Sequence, residues 1–253
     1  MRLNSAARAE YAYLRELGAG VIAADVSPRA YAVEVNQTEP AANRATEAEL
    51  EIAPELNAEH ESYEEDMQEE AEPAAEEAAG SAPVLMTIDV LKEINPEYSG
   101  WIFIPGTVIN YPVARGADNE KYLETTFTGG WNPAGTIYMD YRCADGFGAA
   151  ACLIYGHNMR DGSMFSALIR YLDGRYLESN PEIIVSDADG RMSVYRITEA
   201  RRTDAWDGAY SIGSESVEMA PGFIDGDGRL LILSTCLNGA DTNGRLLIFA
   251  VTE

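Results

Sequence analysis

Residues 229–252 read RLLILSTCLNGADTNGRLLIFAVT, and this stretch carries the clearest signal for the fold. It holds two apolar runs, 229–235 and 245–252, on either side of a polar loop that contains Gly, Asn and Asp. Apolar residues at consecutive positions are expected of strands that are buried on both faces. The stretch therefore predicts two buried strands joined by a loop.

Six more short apolar runs precede this stretch, each bounded by Gly, Pro, Asn or Asp. They are WIFI (101–104), VINYPV (108–113), GTIYMDY (135–141), ACLIYG (151–156), EIIVS (182–186) and MSVYRIT (192–198). Eight short runs separated by turn residues are typical of all-β barrels and sandwiches. We therefore predict one mainly β domain over about residues 83–253.

Two segments of this domain have a helical pattern instead. The first has apolar residues at positions 85, 88, 91 and 94 and ends before Pro96, because a proline disfavours the α conformation of the preceding residue. The second, DGSMFSALIRYLDG (161–174), places its apolar residues on one face of a helix, with Asp161 or Ser163 as the expected N-cap. Those apolar residues are Met164, Phe165, Leu168, Ile169 and Leu172.

The charge of the chain is unevenly distributed. The formal net charge is −24, with 18 Lys and Arg against 42 Asp and Glu. Residues 34–77 alone contain 16 acidic residues and one Arg, in a Glu- and Ala-rich sequence. Such acidity disfavours binding to nucleic acid and direct adsorption to anionic lipid. We interpret residues 34–82 as an acidic low-complexity spacer, and the alternative is a tail that binds a basic partner.

The N-terminal segment, residues 1–33, has a helical composition but no convincing transmembrane helix. Its apolar stretch GVIAADV is interrupted by Asp25 and then by Pro28. This is far short of the roughly 20 apolar residues that span a bilayer.

Three side chains in the β domain are candidates for nucleophilic catalysis. Cys236 ends one buried run, where a strand would fix the thiol and the following loop would leave it accessible. Arg245 opens the next run, so antiparallel pairing of the two strands would bring it beside Cys236. His157 follows a strand and is the one histidine outside the spacer. A thiol gains nucleophilicity from a nearby imidazole, and a guanidinium is a fixed donor for a developing oxyanion.

Each of these residues also has an ordinary structural interpretation. Cysteine is among the most buried residue types, so Cys236 alone fits a core position. His157 fits a turn, and Arg245 fits a solvated strand edge. No CxxC or Cys/His spacing resembles a metal site, so we expect no metal and no cofactor.

Several segments taken together resemble class B sortases. They are GWIFIPGTVINYPVARGADNEKYLETTF, GTIYMDYR, IYGHNMRDGSMFSALIRYLD and LSTC followed by NGR, which cover about residues 84–253 in the expected order. The resemblance implies an eight-stranded sortase β-barrel with an N-terminal helix and one or two short helices in connections. It also implies a catalytic set of Cys236 as nucleophile, His157 as acid/base partner and Arg245 as stabiliser, with Asn158, Ser234 and Thr235 as substrate-binding candidates.

Members of that family are cysteine transpeptidases, which implies a function for this chain. The expected substrate is a secreted protein with a C-terminal NPxTx-like sorting signal, and the expected acceptor is a peptidoglycan precursor amine. The expected location is the extracellular face of the membrane or the cell wall, with membrane proximity implied by the resemblance alone. An L,D-transpeptidase also pairs Cys with His, but its nucleophile typically follows a Ser-x-Gly pattern that LSTC lacks.

Three features depart from the family pattern. The segment 211–229 is shorter than the one that carries a signal-binding helix in class B members. No membrane anchor is visible, and Cys143 and Cys152 are additional thiols that could bridge outside the cell. The short segment leaves open an alternative function, a catalytically idle sortase-fold module that binds peptide or peptidoglycan.

Overall fold

A computed structural model describes residues 2–23, 82–212, 228–237 and 243–252. The predicted acidic spacer lies outside these ranges except for its last residue. Within them the chain forms α1 (Arg2–Ala23), α2 (Ala82–Ile94) and α3 (Gly174–Ser179). The strands are β1 (Tyr98–Phe103), β2 (Asn110–Ala114), β3 (Ile137–Met139), β4 (Ala151–Tyr155), β5 (Glu182–Asp187), β6 (Met192–Asp204), β7 (Leu230–Cys236) and β8 (Gly244–Thr252).

The eight strands close into a barrel in the order β1-β2-β3-β4-β7-β8-β6-β5. Pairs β2–β3 and β4–β7 are parallel, and the other pairs are antiparallel. Each of the eight apolar runs contributes one strand, so the predicted mainly β class and the barrel are confirmed. Residues 230–235 of β7 are all buried, as their consecutive apolar pattern predicts.

The connection after β4 differs from the predicted helix over 161–174. Residues Ser166–Leu172 form a 3-10 helix and the short α3 follows. Met164 cannot start an α-helix because its φ is +55° and it forms a β-bridge with Asn158. The predicted N-cap is also wrong: the Asp161 carboxylate accepts hydrogen bonds from the backbone and hydroxyl of Ser163, at 3.1 and 2.6 Å.

Helix α1 packs against the barrel. The domain predicted over residues 83–253 does not include this helix. The helix contacts α2, β1, β2 and β5, and its side chains Tyr11, Leu14 and Val21 are buried. The backbone of Gly18 lies against the ring of Trp101, which is fully buried on β1. A small residue at this position therefore allows close approach of helix and barrel. None of the described helices is both long and apolar enough to cross a bilayer.

Replacing Gly18 with Ala tests this packing, because the two contributions to stability have opposite signs. Helix propensity alone favours Ala by about 1 kcal/mol. A methyl group at Gly18 would overlap the Trp101 ring, and overpacking of this kind costs about 1–3 kcal/mol. We expect a lower Tm by thermal unfolding. Gly20→Ala is the control, since its methyl group would have one neighbour within 4 Å, the Thr87 hydroxyl at 3.3 Å, and would overlap no ring. A Tm raised by Gly18→Ala would contradict the packing.

Candidate active site

The end of β7 presents a thiol beside a guanidinium-bearing residue. Cys236 is exposed, although the six residues before it are buried. In the antiparallel pairing of β7 with β8, Cys236 lies directly opposite Arg245. Residues opposite one another on paired strands have Cβ atoms about 4.5–5.5 Å apart. The pairing thus brings Cys236 and Arg245 side by side.

His157 reaches the same end of the barrel through the other neighbour of β7. Strand β4 runs parallel to β7, with Tyr155 opposite Ser234. His157 and Cys236 each lie two residues beyond this pair. Both residues are therefore at the same end of the barrel and at the same distance along their strands from the pair. The imidazole Nε2 lies 2.8 Å from the carbonyl oxygen of Leu123. Because a carbonyl can only accept, Nε2 carries the hydrogen and Nδ1 is left for other partners.

The three side chains share one cavity of about 230 Å³. Three tyrosines contribute to its wall, and it lies at the barrel end where β4, β6 and β7 finish and β8 begins. Besides Cys236, His157 and Arg245, the main lining side chains are Leu123, Tyr138, Tyr155, Ala205 and Tyr210. A thiol, an imidazole and a guanidinium in one half-apolar cavity can support nucleophilic acyl transfer.

Each of the three substrate-binding candidates forms a hydrogen bond within the protein. The Asn158 side-chain amide donates to the carbonyl of Cys236 at 3.0 Å, which fixes the thiol-bearing residue. The Thr235 hydroxyl donates to the carbonyl of Gly156 at 2.7 Å, and the Ser234 hydroxyl lies 2.8 Å from that of Tyr210. Both Ser234 and Thr235 are buried. Their bonds join β7 to its neighbours, and their role in substrate binding stays a prediction.

A row of four stacked tyrosines, which was not predicted from the sequence, supplies three of the lining side chains and continues behind the cavity wall. Rings Tyr122, Tyr138, Tyr155 and Tyr210 follow one another with centroid separations of 6.4, 5.1 and 6.3 Å. Tyr138 and Tyr155 are opposite each other in the β3–β4 pairing. Both tyrosines lie in predicted strands. A prediction that GTIYMDY pairs with ACLIYG would have indicated their contact.

A buried carboxylate, also missed from sequence, holds this wall in place. Asp140 is fully buried and accepts hydrogen bonds from the Tyr155 hydroxyl at 2.8 Å and from the Asn119 amide at 2.9 Å. The Arg142 guanidinium binds both carboxylate oxygens at 2.8 Å and donates to the carbonyl of Tyr210 at 2.8 Å. Asp140 and Arg142 therefore tie Tyr155 and Tyr210 to one ion pair.

The charges in this network shift the pKa values of its members. Burial opposes ionisation of Asp140, but the hydrogen bonds from Arg142, Tyr155 and Asn119 outweigh it, so the pKa of Asp140 lies below its usual value. Burial, followed by the negative charge of Asp140, raises the pKa values of Tyr155 and Tyr138. The tyrosine wall consequently stays neutral around a single buried anion.

The other two thiols lie away from the cavity wall. Cys143 and Cys152 are buried and unlinked, and a hydrogen bond from Cys152 lowers the pKa of Cys143. Across the described ranges, no three Cys, His, Asp or Glu side chains are grouped as metal ligands.

Comparison with known proteins adds four observations. The sortase domain family matches residues 102–253. Sortase B of Listeria monocytogenes is 31% identical over 173 residues, which cover 62% of this chain and 70% of that protein. A Streptococcus pyogenes class B sortase involved in pilus biogenesis shares the fold, with a TM-score of 0.58, 24% identity and coverage of 65% of this chain and 97% of the other. The Staphylococcus aureus sortase B–substrate complex gives a TM-score of 0.54 at 26% identity, covering 67% of this chain and 85% of the other.

Replacing Asp140 with Asn tests the role of its charge through the pH dependence of stability. Because its pKa is lowered on folding, the ionised Asp140 stabilises the fold fully at pH values above about 3.9, the pKa of a carboxyl in the unfolded chain. This stabilisation is lost as the pH falls through the pKa of Asp140 in the folded state. At neutral pH we expect Asp140→Asn to lower the free energy of unfolding by about 1–3 kcal/mol. The difference from wild type should narrow at about pH 3, as measured by urea unfolding.

Asp145→Asn is the control, because it alters an exposed carboxyl in the same connection. Its free energy of unfolding should match that of the wild type at both pH values. An Asp140→Asn deficit of the same size at both pH values would show that shape, rather than charge, accounts for the effect.

Proposed function

The chain belongs to the sortase family and is sortase B-like, and from this premise we propose that it is a cysteine transpeptidase. It cleaves an NPxTx-like sorting signal of secreted proteins after the Thr and transfers the acyl group to a peptidoglycan precursor amine. The observation that carries the proposal is the pairing of β7 with both β4 and β8. That pairing brings Cys236, His157 and Arg245 to one cavity.

The first half of the reaction forms a thioacyl-enzyme. The Cys236 thiolate attacks the Thr carbonyl carbon, and a bond forms between sulfur and carbon. As the carbon–nitrogen bond of the peptide breaks, the His157 imidazolium gives a proton to the leaving amine. Because Nε2 is held by the Leu123 carbonyl, Nδ1 is the nitrogen that exchanges this proton.

Arg245 stabilises the charge that develops during both halves of the reaction. The carbonyl oxygen becomes an oxyanion in the tetrahedral intermediate, and a guanidinium stays protonated at any physiological pH. Its position opposite Cys236 places it on the strand next to the attacked carbon. The guanidinium donates to the carbonyl of Gly244 at 3.1 Å, so a further N–H has to turn towards the oxyanion when it forms.

The second half returns the enzyme to its starting state. The acceptor amine attacks the thioacyl carbon, the carbon–sulfur bond breaks, and neutral His157 takes the proton lost by the amine. One amide bond is exchanged for another, so no cofactor or external energy source is needed.

This activity sets the location and partners that we propose. Sorting signals and peptidoglycan amines meet outside the cell, so the domain acts at the extracellular face of the membrane or in the cell wall. Its partners are secreted proteins with a sorting signal and a cell-wall amine.

Removing the thiol provides the first test. We expect Cys236→Ala to abolish cleavage of an NPxTx peptide in the presence of an amine acceptor, as followed by chromatography. Cys143→Ala is the matched control, because that thiol is buried away from the cavity wall and should be dispensable. Cleavage retained by Cys236→Ala would remove this residue from the mechanism, and a wild-type enzyme inactive towards all such peptides would favour the idle binding module.

Removing the partner side chains provides the second test. His157→Ala should lower kcat/KM by about 10²–10⁴-fold, the usual contribution of general acid–base catalysis. Arg245→Ala should lower it by about 10²–10³-fold, as for loss of an oxyanion donor. Arg191→Ala is the control, since this exposed residue follows β5 at the opposite end of the barrel. If Arg245→Ala matches Arg191→Ala, the oxyanion role is wrong.

A further inference from the structure

We propose that helix α1 fixes the position of His157, with Tyr11 and Tyr111 as positioning residues. The inference rests on the function proposed above, which requires the imidazole to be held beside the thiol. Two chains of contacts lead from α1 to His157, one to its side chain and one to its backbone. Neither Tyr11 nor Tyr111 lines the catalytic cavity.

The first chain leads to the imidazole. The Tyr11 hydroxyl is buried and donates to the carbonyl of Gly135 at 2.5 Å. Gly135, with φ of +56°, lies so close to the carbonyl oxygens of Tyr122 and Leu123 that a side chain there would overlap both. The Leu123 carbonyl is the oxygen that accepts the hydrogen bond from His157. A shift at Tyr11 is therefore passed to the acceptor of the imidazole.

A second contact of α1 supports the same segment. The carboxylate of Glu10 accepts a hydrogen bond from the backbone N–H of Thr128 at 3.0 Å. Thr128 and Gly135 both belong to the connection between β2 and β3, which also contains Leu123. Adjacent residues of α1 thus hold this connection at two points.

The second chain leads to the backbone of His157. Arg15 on α1 donates to the Tyr111 hydroxyl at 2.8 Å, and its guanidinium lies 4.8 Å from the Tyr111 ring centroid. The same hydroxyl accepts the backbone N–H of Met164 at 3.1 Å. Met164 is bridged to Asn158, and the N–H of the following Phe165 donates to the carbonyl of His157 at 2.9 Å.

An ion pair closes the loop between these points. The Arg8 guanidinium lies 3.0 Å from the carboxylate of Asp161, midway between His157 and Phe165. Asp161 also accepts the two hydrogen bonds from Ser163, so the loop is ordered around this carboxylate. Arg8 is largely exposed, so the pair contributes less than the buried tyrosine contacts. The unusual φ of Met164 is maintained by the combination of these contacts.

The test observes the imidazole directly, by ¹H–¹⁵N NMR of the full-length chain. His60→Gln removes the other histidine, so every imidazole signal then belongs to His157. The parent should show a protected Nε2–H signal because this group is bonded to the Leu123 carbonyl. We expect Tyr11→Phe and Tyr111→Phe each to shift and broaden that signal. Tyr195→Phe is the matched control, a buried tyrosine at the far end of β6.

A variant that keeps the charge of Arg15 distinguishes the loss of this one contact from a general loss of folding. Arg15→Met should disturb the His157 signal, and Arg15→Lys should restore it, because Lys can still donate to the Tyr111 hydroxyl. In peptide cleavage, Tyr111→Phe should lower kcat by about 10–100-fold with KM unchanged, since small misplacements of a catalytic group are costly.

The spectra alone decide the inference, whatever the outcome of the cleavage assay. An imidazole signal in Tyr11→Phe and Tyr111→Phe that is identical to the parent and to Tyr195→Phe overturns it. A parent with the protected signal but without cleavage of any sorting peptide contradicts the proposed function instead, and the two failures are distinguishable.

Discussion

The pairing of β7 with two different neighbours is the constraint on which the site depends. Its parallel pairing with β4 sets His157 level with Cys236, and its antiparallel pairing with β8 sets Arg245 opposite the thiol. A slip of one residue in either register would turn one of these side chains to the other face of the sheet. The apolar side chains of 230–233 are buried on both faces of β7, Leu231 and Leu233 in the main core and the other two in a second cluster. A slip in register would move these side chains from one cluster to the other, so their packing fixes both registers. The register that packs the core is therefore the same register that brings the site residues together.

Around this strand, the structure holds the site from three directions. The buried Asp140–Arg142 pair fixes Tyr155 and Tyr210 on one side. Hydrogen bonds from Asn158 and Thr235 link the end of β7 to the connection after β4. Helix α1 supports the far side of that connection through contacts that never enter the cavity. The buried polar groups in these contacts, such as the Asp140 carboxylate and the Tyr11 hydroxyl, are hydrogen-bonded, and such pairing keeps a polar network rigid next to a hydrophobic core.

How much of this could be predicted from the sequence depended on the range of the interaction. Eight strands were predictable because buried strands appear as consecutive apolar runs, and the meeting of Cys236 with Arg245 follows from one hairpin. The parallel β4–β7 pairing was not predictable from local pattern, since it joins segments far apart in the chain. The 3-10 helix after Met164 was missed because that residue's conformation depends on Tyr111 and Asn158, which are distant in sequence or across a bridge. Asp140 was missed because its burial and its partners Asn119 and Tyr155 arise only in the folded barrel, although Arg142 is two residues away.

The central claim is that Cys236 becomes acylated by a sorting signal and then passes the acyl group to an amine. The most direct measurement is mass spectrometry of the full-length protein after incubation with a library of NPxTx-like peptides, without an acceptor amine. We expect a mass increase equal to the acyl portion of the peptide that ends in Thr less the thiol hydrogen, mapped to Cys236 after digestion and lost when an amine is added. An adduct on another residue, or none with any peptide while Cys236 remains a free thiol, would contradict it.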